Sequence, residues 1–347
     1  MAKNFIKFTS LSFFSYNRKN IILLLIFLYL FLKYYDLKKS INCYKSEDAR
    51  ISLNKSFVNN NPKLKIKENY SINNIKEKFN FEQYDVYKYN EIKNKFIGNN
   101  CSEMWGNQKE FLNGIIRKFK PVKILEIGVR YGGSSIVILN AIEDFVNSKL
   151  YSIDLSSEDS VGFCVKKLFP HFSKNWILYK GNISTEFIEI IGKNIDMVLI
   201  DTAHFEPGEI LDFLIILPFL KENAIVIFHD IANQITRSKK REEWAPYIIF
   251  NNIRGQKYLP LGKNILTQDI GAIKLDDNQK LYYNDYFRLL GGQWQYFPKE
   301  SHINQLRQFF KKHYNAECLI MFEEAVNFNR NFVKKNPMRI IYNSISD

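Results

Sequence analysis

The sequence lacks several motifs that would mark it as a member of a common enzyme class. Its four cysteines, Cys43, Cys101, Cys164 and Cys318, are widely scattered and form no C-x-x-C pair. This pattern predicts neither a zinc site nor a disulfide scaffold. The chain has no G-K-S/T, which excludes a P-loop, and no G-x-G-x-x-G, which disfavours a nicotinamide or flavin site. No internal repeat is visible.

A basic surplus is also missing from the larger, C-terminal part of the chain. The net charge is +13. Residues 1–121 hold 22 Lys and Arg against 10 Asp and Glu, whereas residues 122–347 hold 27 against 26. An enzyme that reads nucleic acid is expected to carry basic charge on the domain that contacts it. The sequence therefore predicts no nucleic-acid partner.

The basic N-terminal part contains the most apolar run of the chain, Ile21 to Leu32. Arg18, Lys19 and Lys33 flank it. Twelve apolar residues are short of the roughly twenty that span a bilayer, but flanking lysines can snorkel. No small-x-small cleavage site follows closely, so residues 1–37 are predicted to be an uncleaved hydrophobic membrane anchor. The alternatives are a cleaved signal peptide, an amphipathic surface anchor and a helix that docks on the fold.

The chain after this run divides into three parts. Residues 38–104 are rich in Lys, Asn and Ser, which predicts a basic linker or tether that either contacts anionic lipid or is simply solvated. A helical pattern of apolar residues ends at Pro121 and opens the main domain, residues 105–335. Residues 336–347 form a C-terminal tail.

The main domain begins with hydrophobic strands that alternate with helices, from Val122 to Asp230. Its first strand, around Ile124 to Ile127, is continuously apolar except for Glu126, as a parallel strand covered on both faces would be. Gly128, Gly132 and Gly133 follow in the pattern E-x-G-x-x-x-G-G. Glycine allows the backbone to approach a ligand closely, so this loop is a candidate binding site.

Polar residues recur where successive strands end. They are Asp154, Asn182, Asp201, and the pair His229 and Asp230. In an open α/β sheet the ligand binds outside the carboxyl ends of the strands. We therefore expect these side chains to lie around one site.

Five ordered segments, LEIGVRYGG, YSIDLS, KGNIS, DMVLIDTAH and AIVIFHD, resemble the class I S-adenosylmethionine-dependent methyltransferases. The last two are similar to the branch of cephalosporin hydroxylase-like and macrocin O-methyltransferase-like proteins. The resemblance covers about residues 105–335. It implies an α/β fold: a doubly wound, Rossmann-like, mostly parallel seven-stranded sheet with helices on both faces, followed by C-terminal helices.

The resemblance also implies roles for individual residues. Glu126 with Gly128, Gly132 and Gly133 would hold the methionine part of S-adenosylmethionine, Asp154 the ribose hydroxyls, and Asn182 the adenine. Asp201 and Asp230 match positions where some relatives bind a divalent metal such as Mg²⁺, although His229 stands where those relatives have an acid. Purely structural roles remain open for three of these residues: Asp154 as a helix cap, His204 as a turn residue, and His229 as a core histidine.

Two chemical schemes fit these residues. In one, Asp201 and Asp230 with Mg²⁺ acidify an acceptor hydroxyl. In the other, His204 or His229 is the general base, oriented by Asp201 or Asp230. The sequence thus predicts a membrane-tethered O-methyltransferase that faces the cytosol and acts on a saccharide or glycoconjugate. The alternatives are a metal-independent methyltransferase for a small molecule or peptide, and an anchored scaffold without catalysis.

Overall fold

A mixed β-sheet forms the centre of the protein, as seen in a computed structural model that describes residues 77–78, 87–96, 99, 101–232, 245–260 and 269–335. These residues all lie in one unit, Lys67–Asp347. The strands are β1 (Glu77–Lys78), β2 (Lys123–Ile127), β3 (Lys149–Asp154), β4 (Trp176–Lys180), β5 (Ile195–Ile200), β6 (Leu220–His229), β7 (Gly255–Leu259) and β8 (Ile270–Leu275). Their order across the sheet is β1-β7-β8-β6-β5-β2-β3-β4.

The strands from β2 to β6 are parallel to one another, and β8 runs antiparallel to both β6 and β7. Seven of the eight strands have five or more residues, and β1 adds a two-residue edge parallel to β7. The predicted seven-stranded, mostly parallel, Rossmann-like sheet is therefore confirmed.

Helices cover both faces of the sheet. They are α1 (Tyr87–Lys93), α2 (Gly106–Phe119), α3 (Gly133–Ile142), α4 (Phe163–Leu168), α5 (Ser184–Ile191), α6 (Gly208–Ile216), α7 (Ala245–Asn252), α8 (Tyr283–Arg288), α9 (Glu300–His313) and α10 (Ala316–Lys335). Successive strand residues point to opposite faces, so Ile124 packs with α2 and α3 whereas Leu125 packs with α6 and the C-terminal helices. Both faces of β2 are buried, which explains its nearly continuous apolar sequence.

The folded part of the chain begins before residue 105. Tyr89 and Ile92 of α1 are buried in the core beside α2 and α3. Lys88 also donates a hydrogen bond to Glu143 over 2.8 Å. Residues 87–96 thus pack on the domain, within the segment that the sequence predicts to be a tether. The apolar side of α1 is too short to reveal this packing by its periodicity.

A disulfide joins Cys101 to Cys164, whose Cα atoms lie 6.0 Å apart. The sequence predicts no disulfide scaffold, and this single bond is a pairing that the sequence does not reveal. The bond connects the segment before α2 to α4, 63 residues further along the chain. No short spacing in the sequence marks such a pair, because tertiary packing alone brings the two cysteines together.

Several predicted features lie outside the described residues. They are the hydrophobic anchor of residues 1–37, the tether as far as residue 76, and the tail of residues 336–347. Among the helices that the structure describes, none has the length and apolarity needed to cross a membrane.

Candidate active site

A cleft of about 590 Å³ opens at the carboxyl ends of the parallel strands. It lies beside β2, which has β3 on one side and β5 on the other. The chain adds strands on one side of β2 as far as β4 and then continues on the other side with β5. Ligands bind at this switch point in open α/β sheets, and the volume is typical of a small-molecule site. The predicted site residues that line it are Gly128, Gly133, Asp154, Asn182, Asp201, His204, His229 and Asp230. Glu126 and Gly132 are not part of its wall.

The glycine loop is shaped by close backbone contacts. Gly128 has a φ of +87°, and a Cβ atom there would lie 1.8 Å from the carbonyl oxygen of Asp201. A Cβ atom on Gly133 would lie 2.3 Å from the carbonyl oxygen of Cys101. A Cβ atom on Gly132 would lie 3.0 Å from Cγ2 of Val165, a residue of α4. Gly128 and Gly133 therefore keep neighbouring segments close around the cleft, whereas Gly132 faces away from it.

Asp154, at the end of β3, organises this loop. One carboxylate oxygen accepts hydrogen bonds from the backbone N–H groups of Val129 and Arg130, both at 2.9 Å. The other accepts from the N–H of Ser156, also at 2.9 Å. Each carboxylate oxygen has two lone pairs, so the group that fixes the loop can also accept from a ligand in the cleft.

Asn182 lies on the cleft wall just before α5. Its side-chain oxygen accepts from the backbone N–H of Ile183 at 2.8 Å, and its amide group donates to Glu186. These contacts fix the start of α5 and orient the side chain beside Leu155 and Ile183, which line the same part of the cleft.

Glu126 is fully buried beneath the loop. Its carboxylate accepts hydrogen bonds from the hydroxyls of Ser134 (2.6 Å), Ser135 (2.6 Å) and Ser152 (2.7 Å). Burial raises the pKa of Glu126 to about 7, although these hydroxyls act in the opposite direction. Glu126 therefore ties the start of α3 to β2 and β3, and its action on a ligand in the cleft is through the loop.

This buried acid predicts a pH dependence of stability. Because its pKa in the folded state lies above the ordinary 4.5, the folded protein binds the proton more tightly, and this stabilisation is lost as the pH rises from about 4.5 to 7. Relative to wild type, Glu126→Gln should therefore gain on the order of 3 kcal/mol of unfolding free energy over that range. Urea unfolding at pH 5 and pH 8 measures the change, with exposed Glu222→Gln as the control. If the difference in unfolding free energy between Glu126→Gln and wild type is the same at both pH values, the predicted pH dependence is contradicted.

His204 is held between two carboxylates. Its Nε2 lies 2.9 Å from Asp230 Oδ2, and its Nδ1 lies 3.1 Å from Glu209 Oε1. Burial lowers the pKa of His204, but the hydrogen bonds with Asp230 and Glu209 outweigh it and raise the pKa well above 6.5. The carboxylates on both sides thus favour the protonated ring, in which both nitrogens donate. Accepting a proton would first require one of these contacts to open.

His229 also lies next to Asp230, and it lies next to Asp201 as well. Its Nδ1 is 3.5 Å from Asp201 Oδ1 and 3.5 Å from Asp230 Oδ2. Burial acts to lower its pKa, but the two carboxylates raise it well above the ordinary value. The same two histidines hold the pKa of Asp230 far below its usual range despite its burial. Asp230 is thus ionised at any pH at which the protein would work.

The structure adds several residues that the sequence does not single out. Glu209 is fully buried, and burial raises its pKa to about 7. Asp269 lies beside Asp230, and burial likewise raises its pKa to about 7. Gln108 on α2 contacts His229. The segment from Cys101 to Met104 lines the cleft as well. None of these residues stands directly after a parallel strand, so the pattern that marks Asp201 and Asp230 does not point to them.

Comparison with known proteins adds an independent observation. A family model described as a methyltransferase domain matches residues 125–231, which span β2 to the end of β6. Residues 125–231 therefore form a methyltransferase domain. The family resemblance and the enzyme class predicted from the five segments are thereby confirmed. No curated protein matches the chain in sequence.

Solved methyltransferase structures are also similar to this domain. One is an O-methyltransferase from Streptomyces achromogenes in complex with SAM (16% identity, 55% of this chain, 89% of that one, TM-score 0.39). Another is an O-methyltransferase from Bacillus cereus in complex with SAH (14%, 54%, 90%, TM-score 0.41). A third is a methyltransferase from Podospora anserina bound to SAH (15%, 55%, 87%, TM-score 0.40).

Proposed function

We propose that the chain is an S-adenosylmethionine-dependent O-methyltransferase that uses this cleft for cofactor and acceptor together. One observation carries the proposal: Gly128, Asp154 and Asp201 converge on a single cleft into which the acid and histidine cluster also opens. A glycine loop beside a buried group of titratable residues is the arrangement expected where a ligand is bound and a proton is moved.

The loop and the next two strand ends fit the cofactor. All four assigned residues Gly128, Gly133, Asp154 and Asn182 line the cleft. The two glycines would hold the cofactor's methionine part, the carboxylate of Asp154 would accept from the ribose hydroxyls, and Asn182 would face the adenine. When bound, the cofactor supplies a methyl group on a positively charged sulfur. The protein's own contribution is to align the acceptor oxygen with that carbon and to accept the acceptor's proton.

The acid and histidine cluster is the place where that proton can go. Asp201 and Asp230 offer carboxylate oxygens at the cleft wall, and they fit a divalent ion that would acidify a hydroxyl. The buried Nδ1 of His229, which makes no hydrogen bond, fits the same cation. Without an ion, the carboxylate of Asp201 is the group on the wall that is open to an acceptor, since both nitrogens of His204 are engaged.

The acceptor that we propose is a small molecule with a ring, with a saccharide or glycoconjugate hydroxyl as the preferred class. Tyr296 and Phe297, which follow β8 in the chain, line the cleft and could stack on a sugar face. Trp294 of the same segment is buried in the core and donates to Leu290 instead. Transfer of labelled methyl to sugars and not to simple phenols would support this class, and the reverse would favour a different small molecule.

Cofactor binding is the experiment that tests the proposal. Asp154→Ala should weaken the binding of S-adenosylhomocysteine by about 10-fold or more, because the loop loses its anchor and the ribose its acceptor. Asp159→Ala, an exposed acid in the same connection, is the matched control. Calorimetric titration measures both. Equal affinities in the two variants would contradict the cofactor site, and no binding by the folded wild type would favour the non-catalytic scaffold.

We also propose that the N-terminal run from Ile21 to Leu32 attaches this domain to a membrane with the cleft on the cytosolic side. Its apolar composition and basic flanks support the proposal. Release of the full chain from cell membranes by high salt alone would contradict it.

A further inference from the structure

The cleft has a further acidic residue, Asp212, on the wall formed by α6. Asp212 lines the cleft together with Ser184, at the start of α5, and Thr202, just after β5. Its Oδ2 accepts a hydrogen bond from Thr202 Oγ1 at 2.7 Å, and its Oδ1 accepts a longer one from Ser184 Oγ at 3.4 Å. Each carboxylate oxygen has two lone pairs, so both oxygens can also accept from a ligand.

No cation pairs with Asp212 in the part of the chain that the structure describes. His204, which follows the same strand as Thr202, is held by Asp230 and Glu209 instead. Burial raises the pKa of Asp212 to about 6, although the two hydroxyls act in the opposite direction. The carboxylate is therefore mostly ionised at pH 7, and an ionised carboxylate withdrawn from water is costly without a positive partner.

The charges around Asp212 favour a positive ligand. Glu209 lies three residues before Asp212, so the two are neighbours on α6. Glu209 is fully buried, and its Oε2 makes no hydrogen bond. Lys299 and His302, at the start of α9, also line the cleft, but Lys299 is exposed to solvent and burial lowers the pKa of His302. The potential beside Asp212 is therefore set mainly by the acids of α6.

An aromatic side chain stands near this carboxylate. Tyr296 lines the cleft, and burial, together with the charges of Asp212 and Glu209, raises the pKa of its hydroxyl well above the ordinary value. Organic ammonium groups are attracted to aromatic rings as well as to carboxylates. Tyr296 lies outside residues 125–231, which the family model matches. The segment between α8 and α9 thus adds this side of the cleft to the methyltransferase domain.

We propose that the acceptor carries a protonated amine, as an amino sugar does, and that Asp212 binds this ammonium group beside the ring of Tyr296. The inference rests on the proposed function, since the methyl group still goes to a hydroxyl oxygen of the same molecule. The hydrogen bond from Thr202 holds Asp212 next to Asp201, one of the acids that would face that hydroxyl. Asp212 therefore determines specificity and takes no part in proton transfer.

Binding of two matched sugars to the full chain, loaded with S-adenosylhomocysteine, tests the proposal. At pH 7, D-glucosamine should bind at least about 10-fold more tightly than D-glucose, which has a hydroxyl in place of the amine. Asp212→Asn, whose side chain can still accept from Thr202, should remove this preference. The exposed Asp159→Asn should leave it unchanged. Saturation-transfer NMR titrations measure the affinities of wild type and both variants.

Three results would overturn the ammonium site. The first is equal binding of the two sugars, and the second is binding of neither by a chain that binds S-adenosylhomocysteine. The third is a loss of S-adenosylhomocysteine affinity in Asp212→Asn with an unchanged unfolding free energy, which would assign Asp212 to the cofactor. A folded wild-type chain that prefers glucosamine but binds no S-adenosylhomocysteine would instead refute the proposed function and leave the ammonium site standing.

Discussion

Asp230→Asn is expected to reduce methyl transfer by about 100-fold or more while changing cofactor affinity less than 3-fold. Asp230 lies between His204, at 2.9 Å, and His229, at 3.5 Å. Its charge balances both rings and contributes to the only group of acids and histidines among the described residues that could hold a metal ion. The amide keeps the shape of the side chain but removes that charge. The rate of methyl transfer should therefore fall, whereas cofactor affinity should be retained.

The Asp269→Asn variant, at a neighbouring residue, tests whether the effect of Asp230→Asn comes from the loss of charge or from a change in side-chain shape. Burial raises the pKa of Asp269 to about 7, so at pH 6.5 this carboxyl already carries a proton for much of the time. Its oxygen accepts from the backbone N–H of Ala232 at 2.6 Å, a contact that asparagine can keep. At pH 6.5 the factor by which Asp269→Asn reduces the initial rate of methyl transfer should be at least ten times smaller than the factor for Asp230→Asn. Comparable losses in the two variants would show that the charge of Asp230 is not what matters.

Gly128→Ala is expected to lower the unfolding free energy by more than about 4 kcal/mol. The added Cβ would lie 1.8 Å from the carbonyl oxygen and 2.8 Å from the carbonyl carbon of Asp201. Both are backbone atoms at the end of β5, where the N–H of Asp201 donates to Ile127 at 3.0 Å. Relief of the clash would require β2 and β5 to separate, and their pairing lies at the centre of the sheet.

Gly192→Ala is the matched control for this change. Gly192 also has a positive φ, +74°, but a Cβ atom there would meet nothing within 4 Å. Its ψ of 179° adds a backbone conformation that is nearly restricted to glycine, so Gly192→Ala should lower the unfolding free energy by about 1 to 3 kcal/mol. Urea unfolding measures both variants. Equal losses would mean that the close approach of Asp201 does not constrain Gly128.

Much of the sheet and the cleft edge could be predicted from the sequence. The strands β2 to β6 contain short apolar runs, and a glycine or a polar residue stands at or directly after the end of each strand. Their common edge follows from the rules of parallel sheets. Asp154, Asn182, Asp201 and Asp230 consequently line the same cleft, as expected.

The direction in which individual groups point could not be predicted as well. Glu126 shares a face of β2 with Ile124, under α3, so its carboxylate meets three serine hydroxyls and not the cleft. Gly132 turns towards Val165 for a similar reason. These orientations depend on which helix covers which face, and no local pattern in the sequence records that.

Contacts between distant segments could not be predicted at all. Gln108 lies 121 residues from His229, and Cys101 lies 63 residues from Cys164. Cys101 falls at the end of the predicted linker, and Gln108 falls at the start of the predicted domain, in the first turn of α2. The fold brings this stretch against the glycine loop, where it completes the cleft.

Equilibrium binding of S-adenosylhomocysteine to the full chain is the most direct test of the cofactor cleft. One molecule should bind per chain, and Asp154→Ala should weaken that binding by about 10-fold or more while Asp159→Ala leaves it unchanged. A folded wild-type protein that binds none would contradict the account.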